Sequence, residues 1–172
     1  MNHRTSRRNF LMTAAALGVH ACGFRPMVPV SIPFEKLYVA PSDYSSFAAE
    51  FKRYVESYSR TRLAPSAKEA RAVLEIVREQ QQKQILSLSG AGRVQEYLLR
   101  YQVVFKLRDQ AGKELIAPSE INLERDLSYS DNETLGKENE EAFLYQNMRQ
   151  DAIEQVVRRL ATVKLDIEPP AS

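Results

Sequence analysis

Tryptophan is absent from this 172-residue sequence, histidine occurs only at positions 3 and 20, and cysteine only at position 22. A lone cysteine closes no disulfide within the chain, so a folded state depends on a hydrophobic core. Two histidines confined to the first twenty residues leave the body of the chain without a Ser-His or Cys-His nucleophile pair. They also leave it without a zinc site of the usual kind. Glycine is scarce, and Ser89-Gly90-Ala91-Gly92 lacks the following Lys-Ser/Thr of a phosphate loop, so it reads as a turn. A carboxylate pair or a Ser-Lys dyad stays chemically open, but no spacing marks any Asp, Glu, Ser or Lys for it. The composition therefore argues against an enzyme, and no cofactor or metal is expected.

What is present begins with the N-terminal stretch. Ser6-Arg7-Arg8-Asn9-Phe10-Leu11 gives a basic start, Phe10 to Val19 an apolar middle, and Ala21 a small residue before Cys22. That layout is a secretory signal, too short for the roughly 20 apolar residues that span a bilayer. Cys22 after small Ala21 is placed as the acceptor of a lipobox, although His20 departs from that pattern. Cys22 is thus the expected lipidation site, and residues 1–21 the expected signal peptide. Arg7 and Arg8 resemble a twin-arginine export motif, and they equally suit an ordinary charged leader; both routes stay open. Removing residues 1–21 takes Arg4, Arg7 and Arg8 and no acid, which leaves 21 basic against 22 acidic residues. The apparent basicity belongs to the signal, and nucleic-acid binding loses its electrostatic argument.

The next stretch, 22–35, carries Pro26, Pro29 and Pro33 and is expected as an extended tether. A single domain over 36–165 and a tail over 166–172 follow; about 150 residues suffice for one core. Lys36 to Ala40 is a short strand candidate closed by Pro41. Over 43–60, Phe47, Phe51, Tyr54, Val55 and Tyr58 form one apolar stripe behind the N-cap candidates Asp43, Ser45 and Ser46. Ala72 to Val77 and Ile85 to Leu88 flank a polar run, which fits one long bulged strand or two strands. Tyr97, Leu99, Tyr101, Val103, Phe105 and Leu107 alternate with mostly polar neighbours. After a turn at Asp109 to Gly112, Ile121, Leu123, Leu127 and Tyr129 alternate again, so three strands form an antiparallel meander. The last element is a helix over about Leu135 to Val163. Leu144, Met148, Ala152, Val156 and Leu160 step by four along it, flanked by Phe143, Ile153 and Val157. These elements predict an α/β (α+β) two-layer sandwich: a mostly antiparallel four-stranded sheet against two helices, in the order β-α-β-β-β-α.

The cysteine in Cys22-Gly23-Phe24, the proline-bearing leader, this element order and the closing helix resemble the LPS-assembly lipoprotein family LptE. The most specific residues are Leu135-Gly-Lys-Glu-Asn-Glu-Glu141, then Met148, Asp151-Ala152, Gln155 and Val157-Arg-Arg-Leu160, with Gln95-Glu96-Tyr97 after a glycine turn. The resemblance spans Cys22 to about Val163. It implies a protein that plugs the outer-membrane β-barrel LptD as a heterodimer, assists its assembly and helps deliver lipopolysaccharide to the outer leaflet. It also implies an outer-membrane location on the periplasmic side, held by the lipid anchor; Gly23 after the cysteine agrees with that sorting. The resemblance implies two cations as lipopolysaccharide contacts, Lys137 entering the long helix and Arg93 after the glycine turn; Lys83, in the polar run that would pair across from that tip, is a third candidate. Three other readings share the anchor: a periplasm-facing adaptor unrelated to lipopolysaccharide, a cell-wall hydrolase or transferase, and a purely structural lipoprotein.

Overall fold

The computed structural model describes residues 31–40, 45–130 and 134–164. Among the described residues, five strands and two α-helices follow in order, with one 3-10 turn (Ala67–Glu69) before β3: β1 (Lys36–Val39), α1 (Ser46–Tyr58), β2 (Arg62–Leu63), β3 (Ala72–Leu88), β4 (Val94–Asp109), β5 (Glu114–Ser128) and α2 (Thr134–Ala161). The sheet runs β2-β1-β3-β4-β5. Its β3-β4-β5 half is the expected antiparallel meander, whereas β1 pairs in parallel with both β2 and β3. The sheet is therefore mixed and has one more strand than expected. The additional strand is only Arg62–Leu63, and two residues are too few for any alternation to register.

Alternation along β4 decides the layers. Leu99, Tyr101, Val103, Phe105 and Leu107 are fully buried and meet the apolar stripes of both helices in one core. The stripe of α1 is Phe47, Phe51 and Val55, with the Phe47 and Phe51 rings stacked at 5.9 Å. Tyr58, expected on that stripe, is exposed because it lies past the last residue that reaches the sheet. In α2 the buried set is Tyr145, Met148, Ala152, Ile153, Val156, Val157 and Leu160. Phe143, expected beside this stripe, faces solvent: two residues before Tyr145 it is about 200° away around the helix. The core also reaches back to Ile32 and Phe34, in the stretch expected as tether. Truncating a ring such as Phe105 to alanine costs about 3–5 kcal/mol in a core of this kind.

Two bulges set which side chains face the helices. In β3, Ile76 pairs with Phe105 and Arg78 with Val104, so Val77 has no partner of its own. Before it, even-numbered residues such as Leu74 lie opposite the buried row of β4. After it, Glu79, Gln81, Lys83 and Ile85 do so instead. One inserted residue thus turns Glu79 and Lys83 toward the helices. In β5, Ser119 pairs with Phe105 and Ile116 with Leu107, leaving Ala117 and Pro118 opposite one residue. Pro118 is tolerated there because β5 is an edge strand and the ladder is already interrupted. Each hairpin closes with a backbone pair, Ser89–Arg93 or Asp109–Lys113, around three residues, the last of which, Gly92 or Gly112, has positive φ, at 76° and 93°. The long strand is thus a single bulged β3, the first of the two alternatives.

Candidate functional site

The second helix grips β3 at intervals of four residues. The Glu141 carboxylate accepts from Lys83 Nζ at 2.6 Å, the Tyr145 hydroxyl donates to the Gln82 carbonyl at 2.7 Å, and Arg149 Nε lies 3.8 Å from Glu79 Oε1. Residues 141, 145 and 149 share one helix face, and their partners run in the opposite direction along β3. The N-terminal end of α2 therefore points toward the β3–β4 turn. Lys137, four residues before Glu141, extends the same row.

Glu79 is the polar centre of the inner layer. Its carboxylate accepts from Ser45 Oγ at 2.6 Å, from Tyr101 Oη at 2.7 Å and from the Phe47 amide at 3.1 Å. Ser45 caps α1 by accepting from the Ala48 amide at 3.0 Å. The first turn of α1 has no acid of its own, so Glu79 supplies from another element the negative charge that a helix N-terminus favours. Arg149 completes the cluster with a 2.5 Å bond to Glu50. Burial, then the bond to Glu79, raises the Tyr101 hydroxyl far above its ordinary pKa. Burial, with Glu141 adding to it, pushes Tyr145 up to about 12. Sequence reasoning missed this cluster: Glu79 lies in a run of polar residues, and only the bulge at Val77 turns it inward.

The expected cations occupy the end of the sheet beyond this cluster. Lys83 sits over the Tyr97 ring, 4.2 Å from its centroid, and Tyr97 meets Tyr129 edge-on at 5.3 Å. Lys137 Nζ reaches Glu140 at 2.8 Å and Ser128 Oγ at 3.3 Å, and its side chain is only 16 % exposed. A cation in the first turn of a helix opposes the helix dipole by about 0.3–1 kcal/mol, which Glu140 offsets. Arg93 stands apart at the turn, where its amide donates to Ser89 Oγ at 3.1 Å. Six residues of extended β4 separate it from Leu99, the partner of Lys83, which is about 20 Å. Among the described residues no acid pairs with the Arg93 guanidinium. The fold thus brings Lys83 and Lys137 to one end of α2, each held by a glutamate, and leaves Arg93 exposed at the tip. Cys22, Arg7 and Arg8 lie outside the described residues.

The face of the sheet away from the helices is polar. Arg100 Nε donates to Glu124 at 2.7 Å and its Nη1 to Gln84 at 3.1 Å, while Gln102 bonds Asn122 at 3.2 Å and also Glu120. A shallow cavity of about 300 Å³ lies here among Gln82, Arg100, Gln102, Asn122 and Glu124. Nearby, Arg108 and Lys106 bond Glu75 at 2.6 and 2.9 Å, and these bonds hold its carboxyl below the ordinary carboxylate value. Among the described residues no three metal-ligating side chains converge, and no helix is long and apolar enough to cross a membrane.

Residues 34–160 match the family model described as LptE: Lipopolysaccharide-assembly. The fold is similar to that of an uncharacterized lipoprotein B from Nitrosomonas europaea, at 34 % identity and a TM-score of 0.71. That match covers 81 % of this chain and 90 % of the other. A rare lipoprotein B from Shewanella oneidensis shares the fold at 23 % identity and a TM-score of 0.65, over 74 % and 94 % of the two chains. A minor lipoprotein from Acinetobacter baumannii does so at 23 % identity and 0.56, over 79 % and 93 %. No curated protein matches the chain significantly.

Proposed function

Because the chain belongs to the LptE family of lipopolysaccharide-assembly proteins, we propose that it is the lipid-anchored plug and assembly partner of the LptD β-barrel. In this reading it works without catalysis, from the periplasmic side of the outer membrane, and helps lipopolysaccharide reach the outer leaflet. Its role in lipopolysaccharide assembly follows from the family. The observation that carries the finer reading is the open face of the sheet. Arg100, Gln102, Asn122, Glu120 and Glu124 bond one another across β4 and β5 and present polar groups outward. Barrel lumens are polar and partly wet, so a plug needs such a surface rather than an apolar one.

Cys22 is the anchor in this proposal, with residues 1–21 removed before it. The intact mass of membrane-extracted protein should show loss of 1–21 and a gain of acyl chains; an unmodified chain that keeps His3 refutes it. Lys137 and Arg93 are the proposed phosphate contacts, with Lys83 as a third. Charge-assisted contacts of this kind are worth about 1.5–3 kcal/mol each. Lys137→Asp combined with Arg93→Asp should weaken lipopolysaccharide binding at low salt. The fold should survive, since an acid in the first turn of α2 suits the dipole better than a lysine. Equal binding by the variant and the parent refutes the assignment. Affinity capture from outer membranes tests the partner: recovery of the barrel in equal amount supports the plug, and its absence favours the periplasm-facing adaptor.

A further inference from the structure

The hairpin of β3 and β4 ends in an apolar tip that the phosphate contacts do not use. Ile85, Leu86 and Leu88 are exposed by 58, 48 and 54 %, within four positions of one strand. The pairing steps from Ile85–Tyr97 to Ser87–Glu96, so Leu86 has no partner and its strand is locally bent. Strand β1 pairs with β3 only at Ala72 to Leu74 and supports nothing at this end. Across the turn stands Arg93, without an acidic partner among the described residues. Exposed leucine and isoleucine beside a free guanidinium form a two-part surface.

Building on the lipopolysaccharide reading above, we propose that Ile85, Leu86 and Leu88 receive the acyl chains of the same anionic glycolipid whose phosphate meets Arg93. Three features favour this occupant. A single phosphate is complementary to one unpaired guanidinium. The patch of three side chains falls well short of the roughly 800 Å² per partner that a stable protein interface takes, which argues against a second copy or a docked protein. A flat anionic bilayer would also press against exposed Glu96 and would find Lys83 and Lys137 already held by Glu141 and Glu140, whereas one bound lipid can place a phosphate at Arg93 beside its acyl chains.

The test compares three forms of the full chain: the parent, Ile85→Thr/Leu86→Thr/Leu88→Thr, and Phe143→Thr. Threonine suits strands, and Phe143 is an exposed apolar residue on α2 that serves as control. The single variant Leu86→Thr is carried alongside in case the triple variant loses its circular dichroism. The probes are purified rough lipopolysaccharide, the same material deacylated with its phosphates retained, and phosphatidylglycerol vesicles. The parent and Phe143→Thr should bind the intact glycolipid at least tenfold more tightly than the deacylated one. The triple variant should bind both alike, at the level the parent shows for the deacylated form, and Leu86→Thr should fall between. Equal binding of both forms by the parent overturns the inference and leaves the phosphate contacts standing. So does a preference that survives unchanged in the variants. Vesicle binding as tight as glycolipid binding overturns it in favour of a general bilayer contact. Failure of the parent to bind either form overturns the lipopolysaccharide reading itself, and this inference with it.

Discussion

Replacing Glu79 by alanine should be among the most damaging single changes outside the apolar core. The carboxylate takes bonds from Ser45 Oγ, Tyr101 Oη and the Phe47 amide, and its side chain is 13 % exposed. Bonds to a charged acceptor contribute about 1.5–3 kcal/mol each, but the three share one group and are not additive. Water entering the vacated space recovers part of the loss. Arg149 keeps Glu50, so no isolated charge is left behind. A net cost of about 3–5 kcal/mol follows, comparable to breaking a buried ionic cluster from one side. Glutamine keeps the shape and one acceptor but removes the negative charge at the start of α1, and should cost about 1.5–3 kcal/mol. With an m-value of about 2 kcal/mol/M, the urea midpoint should fall by about 2 M for Glu79→Ala and about 1 M for Glu79→Gln. Circular dichroism and tyrosine fluorescence can follow the transition, since the chain has 8 tyrosines and no tryptophan. A cost below about 1 kcal/mol for alanine, or identical costs for the two substitutions, would refute the reasoning. Either result would mean that solvent satisfies the three donors as well as the carboxylate does.

Three further outcomes follow from the same contacts. The Glu75 carboxyl is held below its ordinary value of 4.5 by Arg108 and Lys106, so its contribution is present above pH 4.5 and is lost as pH falls through the folded value. The stability gap between parent and Glu75→Gln should therefore shrink below pH 4.5 in acid urea titrations; a pH-independent gap argues against it. Tyr145 has the opposite sign. Raised from 10 to about 12, its neutral hydroxyl supports the fold fully below pH 10 and loses that contribution as pH rises to about 12. Tyr145→Phe should cost about 1 kcal/mol at pH 8 for the lost bond to Gln82. That difference should close by pH 11–12, and a constant difference across the range counts against the assignment. Deleting Val77 removes the bulge but leaves Ile76 opposite Phe105, Arg78 opposite Val104 and Glu79 opposite Val103, so Glu79 and Lys83 keep facing the helices and thermal stability should stay near the parental value; a large loss would show that the local bend of the bulge is itself needed.

Much of the fold is legible because burial on one side imposes a period on the sequence. The odd-numbered residues of β4 from Leu99 to Leu107 read as a core face and are one. So do Phe47, Phe51 and Val55 on α1, and the four-residue steps of α2. Gly92 and Gly112 mark the turns because they take positive φ. The family resemblance rests on residues of the same helix and turn. Periodicity also misleads at its margins: Tyr58 and Phe143 continue the apolar pattern but point to solvent, because a stripe says which face is apolar and not where the partner surface ends.

What the tertiary structure alone decided concerns partners far apart in the chain. Arg62–Leu63 becomes a strand only because β1 lies beside it. Glu79 belongs to no local pattern; it becomes a cap for α1 and an acceptor for Tyr101 once a single unpaired residue at Val77 inverts the facing of β3. Lys83 and Lys137, 54 positions apart in sequence, come to one end of the molecule because α2 runs against β3, and each then finds a glutamate. Among the described residues Arg93 has no acidic partner: it stands at the turn, while Glu96, the next acid along β4, accepts from Ser87. Side-chain period is a property of one segment and can be read from that segment; register, bulge and ion pairing are properties of two segments, and exist only after they meet.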